Sequence, residues 1–451
     1  MAVSENQVLD ALRAVHDPDL QRDIVSLGFV KNVKICDGNV GFEIELTTPA
    51  CPVKDDLKRQ ASDVVLALPG VSNVSISMTA RTRGRAVASA DILRGVKNIV
   101  AIASGKGGVG KSTATVNLAL ALAASGAKVG ILDADVYGPS IPQMLGIREG
   151  PGINAEGQAS PPVAFGVKVM SVAMLVSDDE AAIWRGPIVS RILQQFLSAV
   201  DWGQLDYLLL DLPPGTGDVQ LTLTQSAPIN GAVIITTPQD VALKVARRGL
   251  RMFQKVNVPV LGIIENMSGF VCPNCNTVHN IFRKGGGERT AHEMGVPMLG
   301  AVPLDPRMVE AGDAGKPLVV LDPNSPGAKA FEIVARNMAA QLSIANVKTG
   351  ETHERPAEMH LHDQNPPSIL WADGKTTIYN ARELRLACPC AACRNEMTNE
   401  QIIKDADVPA DIKIVETRPV GRYGQSLVFS DGHSSGIYAN DMLKEMGKLK
   451  Q

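Results

Sequence analysis

Apolar residues recur at helical spacing in residues 7–15, where Val8, Leu9, Leu12 and Val15 share one face and predict a helix. Residues 39–46 alternate instead. Val40, Phe42, Ile44 and Leu46 are separated by Gly41, Glu43 and Glu45, the pattern of a half-buried strand. The loop Thr47-Thr48-Pro49-Ala50-Cys51-Pro52 follows, then a helix to about residue 68 and a second alternating run at 71–78. Residues 1–80 therefore read as a small α+β domain. Residues 81–97 carry Arg81, Arg83, Arg85, Arg94 and Lys97 against Asp91. They are expected to be a solvated linker, with attraction to an anion as the alternative.

From residue 98 the rhythm changes. Continuous apolar runs at 99–104, 128–132, 207–210, 232–236, 260–264 and 298–302 alternate with helical stretches up to residue 345. Strands apolar on both faces and separated by helices mark a parallel sheet covered on both sides. A polar stretch, 346–367, is expected to be a second linker. Residues 368–451 hold hairpin-like runs at 369–374 and 427–432 and read as a small β-containing domain.

Composition narrows the function. Hydrophobic residues are 45% and charged residues 20%, ordinary for a globular protein, and aromatics at 4% leave the cores aliphatic. The net charge of −3 argues against a general nucleic-acid binder. No apolar run approaches the roughly 20 residues that span a bilayer, so no membrane partner is expected. The opening MAVSENQVLD has no basic stretch followed by an apolar one, and a leaderless cytoplasmic protein is expected. The cysteine count is odd at seven, and five sit in two tight groups. In a reducing compartment such grouping favours metal or redox chemistry over disulfides.

The strongest chemical signal is Gly105-Lys106-Gly107-Gly108-Val109-Gly110-Lys111-Ser112-Thr113, placed between an apolar strand and the helix predicted at 114–124. This is the phosphate-loop pattern in the setting it requires. Glycines let backbone N–H groups converge on phosphate oxygens, and the helix N-terminus favours anions. Lys111 balances β/γ-phosphate charge and Ser112 ligates Mg²⁺ in such loops. The bland alternative is a glycine-rich turn without a ligand. Asp211 ends the strand at 207–210, suited to holding the Mg²⁺ water shell, and runs into Leu212-Pro213-Pro214-Gly215-Thr216-Gly217-Asp218. Asp133-Ala134-Asp135 ends another strand, with Asp135 placed to orient an attacking water, although strand-end Asp is often only a turn former. These pieces in this order predict an ATP-hydrolysing P-loop enzyme.

Lys106, a second lysine inside the loop, makes the motif resemble the deviant Walker A ATPases, which include MinD, ParA and the nitrogenase iron protein. That resemblance implies that Lys106 reaches a partner subunit's nucleotide and that Asn266 lies at the adenine pocket; the bland reading of Lys106 is a lysine facing solvent. Asp133-Ala-Asp-Val-Tyr-Gly-Pro-Ser140, Asp211-Leu-Pro-Pro-Gly-Thr-Gly-Asp218 and Glu265-Asn-Met-Ser268 with Cys272-Pro-Asn-Cys275 resemble, more closely, the Mrp/ApbC iron–sulfur carrier ATPases. A [4Fe–4S] cluster takes four thiolates, and two chains each giving Cys272 and Cys275 supply them. The resemblance implies a cluster shared across a homodimer and passed to apo iron–sulfur proteins, with cluster assembly factors as further partners. Zinc on Cys272, Cys275 and His279 is the rival.

Cys388-Pro-Cys390-Ala-Ala-Cys393 needs a fourth ligand for tetrahedral Zn²⁺. Trp371-Ala-Asp-Gly374, Leu384-Arg-Leu-Ala-Cys-Pro-Cys390 and Asp431-Gly-His433 resemble the N-terminal zinc-binding domain of γ-butyrobetaine hydroxylase, which implies His433 as that ligand. Asp17-Pro18-Asp19 with the Thr47–Pro52 loop resembles the SufT/PaaD domain of iron–sulfur assembly, making Cys51 a candidate thiol site; a packed small thiol is the alternative, and Cys36 is expected to be structural. The order of the three domains resembles the plastid high-chlorophyll-fluorescence scaffold ATPases. The expected function is ATP-dependent cluster carriage. A MinD/ParA-like positioning ATPase and a zinc-dependent interaction protein switched by ATP are the alternatives.

Overall fold

Eight strands form the central sheet of the computed structural model, in the spatial order Val163–Ala164, Val167–Ser171, Val129–Asp133, Leu205–Asp211, Val96–Ser104, Gly231–Thr236, Val260–Glu265 and Met298–Ala301. All neighbours run parallel except the edge strand Val163–Ala164, which pairs antiparallel with Val167–Ser171. The fold is an α/β P-loop architecture with a mostly parallel sheet. The structure describes residues 3–449 except 19, 21, 37, 52, 81, 83–92, 94, 137, 176–185, 216, 218, 219, 221, 222, 225, 226, 273–276, 353–355, 362–365, 372–374, 391, 392, 395–399 and 421–423.

Every residue of Leu205–Asp211 and of Gly231–Thr236 is buried, as strands covered on both faces must be. The helix Lys111–Ala124 is buried almost all round, which its Ala- and Leu-rich sequence permits. By contrast Asp240–Lys255 buries a stripe, Ala242, Leu243, Ala246, Gly249, Leu250 and Phe253, at helical spacing. The strand Val167–Ser171 and its partner Val163–Ala164 were not expected from the sequence. The stretch before them is broken into the short pairs Gly152–Ile153 and Ala159–Ser160, which hides the strand pattern.

In the small N-terminal domain, strands Val30–Cys36, Asn39–Leu46 and Asn73–Ala80 make a three-stranded sheet backed by helices Glu5–Leu12 and Lys54–Leu66. Asn39–Leu46 buries alternate residues. The first helix starts at a capping box, with Ser4 N–H donating to Gln7 Oε1 at 2.9 Å. It stops at Leu12 rather than reaching Val15. Val15 is buried instead by pairing with Ile24, whose N–H donates to its carbonyl at 3.0 Å.

The chain divides into two compact units, Met1–Arg85 with Leu93–Leu223 and Ile229–Asn346 in one, and Val347–Gln451 with two short segments in the other. Within the first, the loop residues Thr48 and Ala50 meet the sheet at its N-terminal ends. Thr48 and Tyr207, both buried, share a hydroxyl–hydroxyl hydrogen bond of 2.8 Å, and Ala50 joins the large aliphatic core. The expected linker 81–97 gives up its end to the sheet, since the strand begins at Val96; most of the rest lies outside the described residues. The expected linker 346–367 differs more. It holds the end of helix Pro326–Thr352 and a strand, Pro356–His360, because the backbone of this strand pairs antiparallel with Ser368–Trp371.

In the second unit that pair continues through Thr376–Ile378 to Lys448–Leu449, and a separate sheet joins Ile414–Val420, Gly424–Phe429 and Ile437–Ala439. Trp371, Leu384, Leu427, Phe429 and Tyr438 form the core, and Cys388 and Cys393 are part of it. The two runs read from sequence as hairpin-like each contain a strand, Ser368–Trp371 and Gly424–Phe429, ending in a turn or outside the described residues. Among the described residues no helix is long and apolar enough to cross a membrane.

Candidate functional site

The loop 105–113 leaves the C-terminal end of strand Val96–Ser104 and enters helix Lys111–Ala124. Gly108 and Gly110 hold φ of +76° and +78°, conformations L side chains rarely adopt. A Cβ on Gly105 would stand 2.6 Å from the Val245 carbonyl carbon. Loop shape and loop packing thus both require glycine. Among the described residues no side chain caps the helix, which leaves its first N–H groups without a capping side chain, as an anion site needs. Lys106 is exposed on the loop.

Lys111 is buried among carboxylates. Its Nζ donates to Asp211 Oδ2 at 2.7 Å and lies 3.4 Å from Asp135 Oδ2. Ser112 donates to the same Asp211 Oδ2 at 2.6 Å, and Thr115 donates to Oδ1 at 2.6 Å. Fully buried Asp133 accepts from Ser171 Oγ at 3.0 Å and from the N–H of Asp135 at 3.2 Å. Burial first, and then the Asp211 charge, push Asp133 up to about 7. The Lys111 ammonium thus lies between the Asp211 and Asp135 carboxylates, with the Ser112 hydroxyl on the same Asp211 oxygen. Thr115 and Ser171 were not singled out from sequence. Thr115 stands one helical turn beyond Lys111, on the same face, and that spacing from the loop lysine is the signal that could have found it.

Asn266 follows strand Val260–Glu265 and bridges to the loop, its Nδ2 donating to the Val109 carbonyl at 2.9 Å. Beside it a cavity of about 160 Å³ is lined by Gly110, Thr113, Asn266, Met267, Leu304 and Asp305 among others. The lining is mostly apolar, interrupted by the polar side chains of Thr113, Asn266, Asp305 and Asp313.

The chain then forms a short hairpin, Phe270–Val271 against Val278–His279, with half-buried Cys272 at its turn and the Cys272 N–H donating to the Thr277 carbonyl at 3.0 Å. Cys275 lies outside the described residues, and His279 is exposed. This hairpin and the phosphate loop grow from the same end of the sheet. Cys51 does not join them. It follows Thr48, which meets Tyr207 near the start of the strand that ends in Asp211. Four residues of strand put that contact about 13 Å from Asp211. Cys36 is exposed on the small domain.

In the second unit the structure brings Cys388, Cys390, Cys393 and His433 together, with all four ligand atoms within 4.8 Å of one another. His433 Nε2 lies 3.1, 3.5 and 3.8 Å from the three sulfurs in chain order. A tetrahedral ion with thiolate and imidazole bonds sets such edges at roughly 3.4–3.8 Å. This group could hold a metal ion. Burial pushes the Cys388 thiol up to about 12, and burial, then Arg385, lower His433, which favours the neutral ligating imidazole. Arg385, unnoticed in the sequence, donates to Cys393 Sγ at 3.2 Å and to Asp431 Oδ2 at 2.7 Å, while Asp431 Oδ1 accepts the His433 N–H at 3.0 Å. The Asp-Gly-His turn is thereby fixed against the cysteine segment.

Comparison with known proteins finds three family matches along the chain. Residues 95–339 match the family described as NUBPL iron-transfer P-loop NTPase, 5–78 match an iron–sulfur cluster assembly protein family, and 361–444 match the γ-butyrobetaine hydroxylase-like N-terminal family. An iron–sulfur cluster carrier protein of Synechocystis sp. is 48% identical over 76% of this chain and 99% of its own length. The chloroplastic Fe-S cluster assembly factor HCF101 of Arabidopsis thaliana is 39% identical over 99% of this chain and 83% of its own. A solved nucleotide-binding protein from Archaeoglobus fulgidus in complex with ADP is 38% identical over 53% of this chain and 93% of that one, with a TM-score of 0.47. With its central 95–339 matched and a relative aligned along nearly its whole length, the chain belongs to the iron-transfer P-loop NTPase family, in the variant that carries an assembly-type domain before the NTPase and a γ-butyrobetaine hydroxylase-like N-terminal domain after it.

Proposed function

We propose that this protein is an ATP-dependent iron–sulfur cluster carrier. The observation that carries the reading is the joint placement of the phosphate loop and the Cys272 hairpin on one sheet end, with Asn266 bonded to the loop and the hairpin beginning a few residues later. The names of the relatives support it. In this reading two chains meet, each giving Cys272 and Cys275 to a [4Fe–4S] cluster that is cargo for apo iron–sulfur proteins. Cluster assembly factors supply it, and the setting is cytoplasmic.

ATP would enter the cradle of loop N–H groups, with its base beside Asn266. Lys111 then exchanges its carboxylate partner for phosphate oxygens, and Lys106, exposed at the loop, reaches across the dimer. Mg²⁺, held by Ser112 and Asp211, would neutralise developing phosphate charge. Asp135 accepts a hydrogen bond from the attacking water. The C-terminal group, Cys388, Cys390, Cys393 and His433, would hold Zn²⁺ in a closed structural site, since its ligand set is complete without water.

Anaerobic reconstitution tests the reading. The chain should take up about four iron atoms per dimer, and replacing Cys272 and Cys275 by Ser should remove iron, sulfide and visible absorbance while nucleotide still binds. Full iron retained by that double variant would overturn it. A wild-type chain that hydrolyses ATP but takes up zinc alone would favour the zinc-dependent switch.

A further inference from the structure

Glu265 is the last residue of strand Val260–Glu265 and is 1% exposed. Its carboxylate makes three contacts with the chain beyond it. Oε1 accepts from Ser268 Oγ at 2.5 Å and from the Gly285 N–H at 3.0 Å, and Oε2 accepts from the Gly287 N–H at 2.5 Å. Ser268 stands just before the Cys272 hairpin. Gly285 and Gly287 stand just after it, at the start of helix Gly286–Met294. One buried side chain therefore clasps both ends of the excursion that carries Cys272. The clasp is packed tightly: a Cβ on Gly287 would lie 3.0 Å from Glu265 Cβ, and one on Gly286 would lie 2.7 Å from the Pro238 carbonyl oxygen. Gly285 takes φ of +79°, so both the turn and the close approach demand glycine.

The next residue, Asn266, makes the bond to Val109 in the phosphate loop. Its own N–H donates to the Thr236 carbonyl at 2.8 Å, on the neighbouring strand. The dipeptide Glu265-Asn266 thus holds the phosphate loop with one side chain and the Cys272 excursion with the other.

We infer that Glu265 is the positioning residue of the Cys272 thiol, and that through Asn266 it makes this thiol's exposure depend on whether nucleotide occupies the phosphate loop. The inference rests on the cluster-carrier reading for its purpose, but not for its geometry. A carboxylate suits the post because both oxygens accept. A glutamine would turn an NH₂ group toward one of the N–H donors and leave it buried without a partner.

Alkylation of the cluster-free full chain by iodoacetamide, read at Cys272 by peptide mass spectrometry with and without Mg-ADP, tests this. In wild type the Cys272 rate should change by at least about threefold on adding Mg-ADP. In Glu265→Gln it should rise about tenfold and respond no longer to Mg-ADP. Glu265→Asp, which keeps both acceptors, should recover part of the response. Half-buried Cys51 serves as internal reference, because a general loosening would raise its rate too. An unchanged Cys272 rate in Glu265→Gln, a parallel rise at Cys51, or a wild-type rate indifferent to Mg-ADP would overturn the inference. Where Glu265→Gln does not fold, Ser268→Ala removes one donor only and should still speed Cys272 labelling; a wild-type rate there overturns the inference as well. Iron and sulfide content of reconstituted wild type judges the carrier reading separately. A chain without iron but with the expected labelling sinks that reading alone, whereas a loaded chain with unaltered labelling sinks the role of Glu265.

Discussion

Lys111 is the cation between Asp211 and Asp135, and it is 6% exposed. Removing it does two things at once. ATP hydrolysis by Lys111→Ala should fall to background, because the β/γ-phosphates lose their partner. The nucleotide-free chain should also lose about 3 kcal/mol in denaturant unfolding, the usual cost of stranding a buried charge. Normal turnover would remove the NTPase reading; unchanged stability would mean that water reaches the carboxylates. Asp133 gives a pH signature. Its carboxyl is raised to about 7 by burial and then by Asp211, against 3.8 unfolded. The folded state therefore binds the extra proton between those values. The penalty of a buried charge is present in full above about 7 and is relieved as pH falls toward 3.8. Wild type should gain stability relative to Asp133→Asn when taken from pH 8 to pH 6, in paired thermal melts. Parallel curves would show that Asp133 does not titrate there. The loop, Lys111, Ser112 and Asp211 were legible in sequence because the motif is local. The clasp of Glu265, the support of Thr115 and Ser171, and the Arg385 bridge were not, since each depends on residues brought together only by the sheet or the C-terminal core.

At the scale of elements, burial on both faces made the parallel strands readable as continuous apolar runs, and Leu205–Asp211 and Gly231–Thr236 follow that reading. Context decided the failures. Val167–Ser171 is preceded by the irregular pair Gly152–Ile153 and Ala159–Ser160, and Pro356–His360 owes its strand character to pairing with Ser368–Trp371 rather than to its own pattern. The C-terminal ligand group is an element-scale device. It joins the segment after helix Ala381–Leu386 to the turn after strand Gly424–Phe429. If this group holds a metal, as proposed, stripping it with a strong chelator should abolish hydrogen-exchange protection within Gly424–Phe429 and leave ATP hydrolysis within about twofold. Persistent protection in the stripped protein would mean that the local core, not a metal, holds this module. Gly436 makes a sharper probe. A Cβ there would lie 2.5 Å from Cys388 Sγ and 3.2 Å from the Tyr438 ring. Gly436→Ala should therefore lower metal content and cost the module about 1–3 kcal/mol, read by metal analysis and local exchange.

Over the first unit as a whole, the sheet separates two thiols that composition alone would have grouped together. Cys272 sits beyond the C-terminal ends of the strands with the nucleotide loop, and Cys51 sits by the N-terminal ends, where Thr48 meets Tyr207. One cluster cannot draw on both within a chain. The small domain is therefore seated on the NTPase rather than merely tethered to it, and the seat is a pair of buried hydroxyls beside Ala50, a residue of the aliphatic core. Tyr207→Phe removes one hydroxyl but leaves Thr48 Oγ an N–H donor, from Ala50 at 3.2 Å. Thr48→Val removes both uses of that oxygen and leaves the Tyr207 hydroxyl buried with its Thr48 partner gone. Thr48→Val should thus be the costlier change, by about 1 kcal/mol, and the double variant should cost less than the two singles together by a similar amount. Urea unfolding followed separately by exchange within Asn39–Leu46 and within Leu205–Asp211 measures this, and also decides cooperativity. In wild type the two strands should lose protection at one urea concentration. In Thr48→Val, Asn39–Leu46 should open first. Additive costs with coincident transitions in every variant would mean that the hydroxyl pair is incidental and that other contacts hold the domain to the sheet.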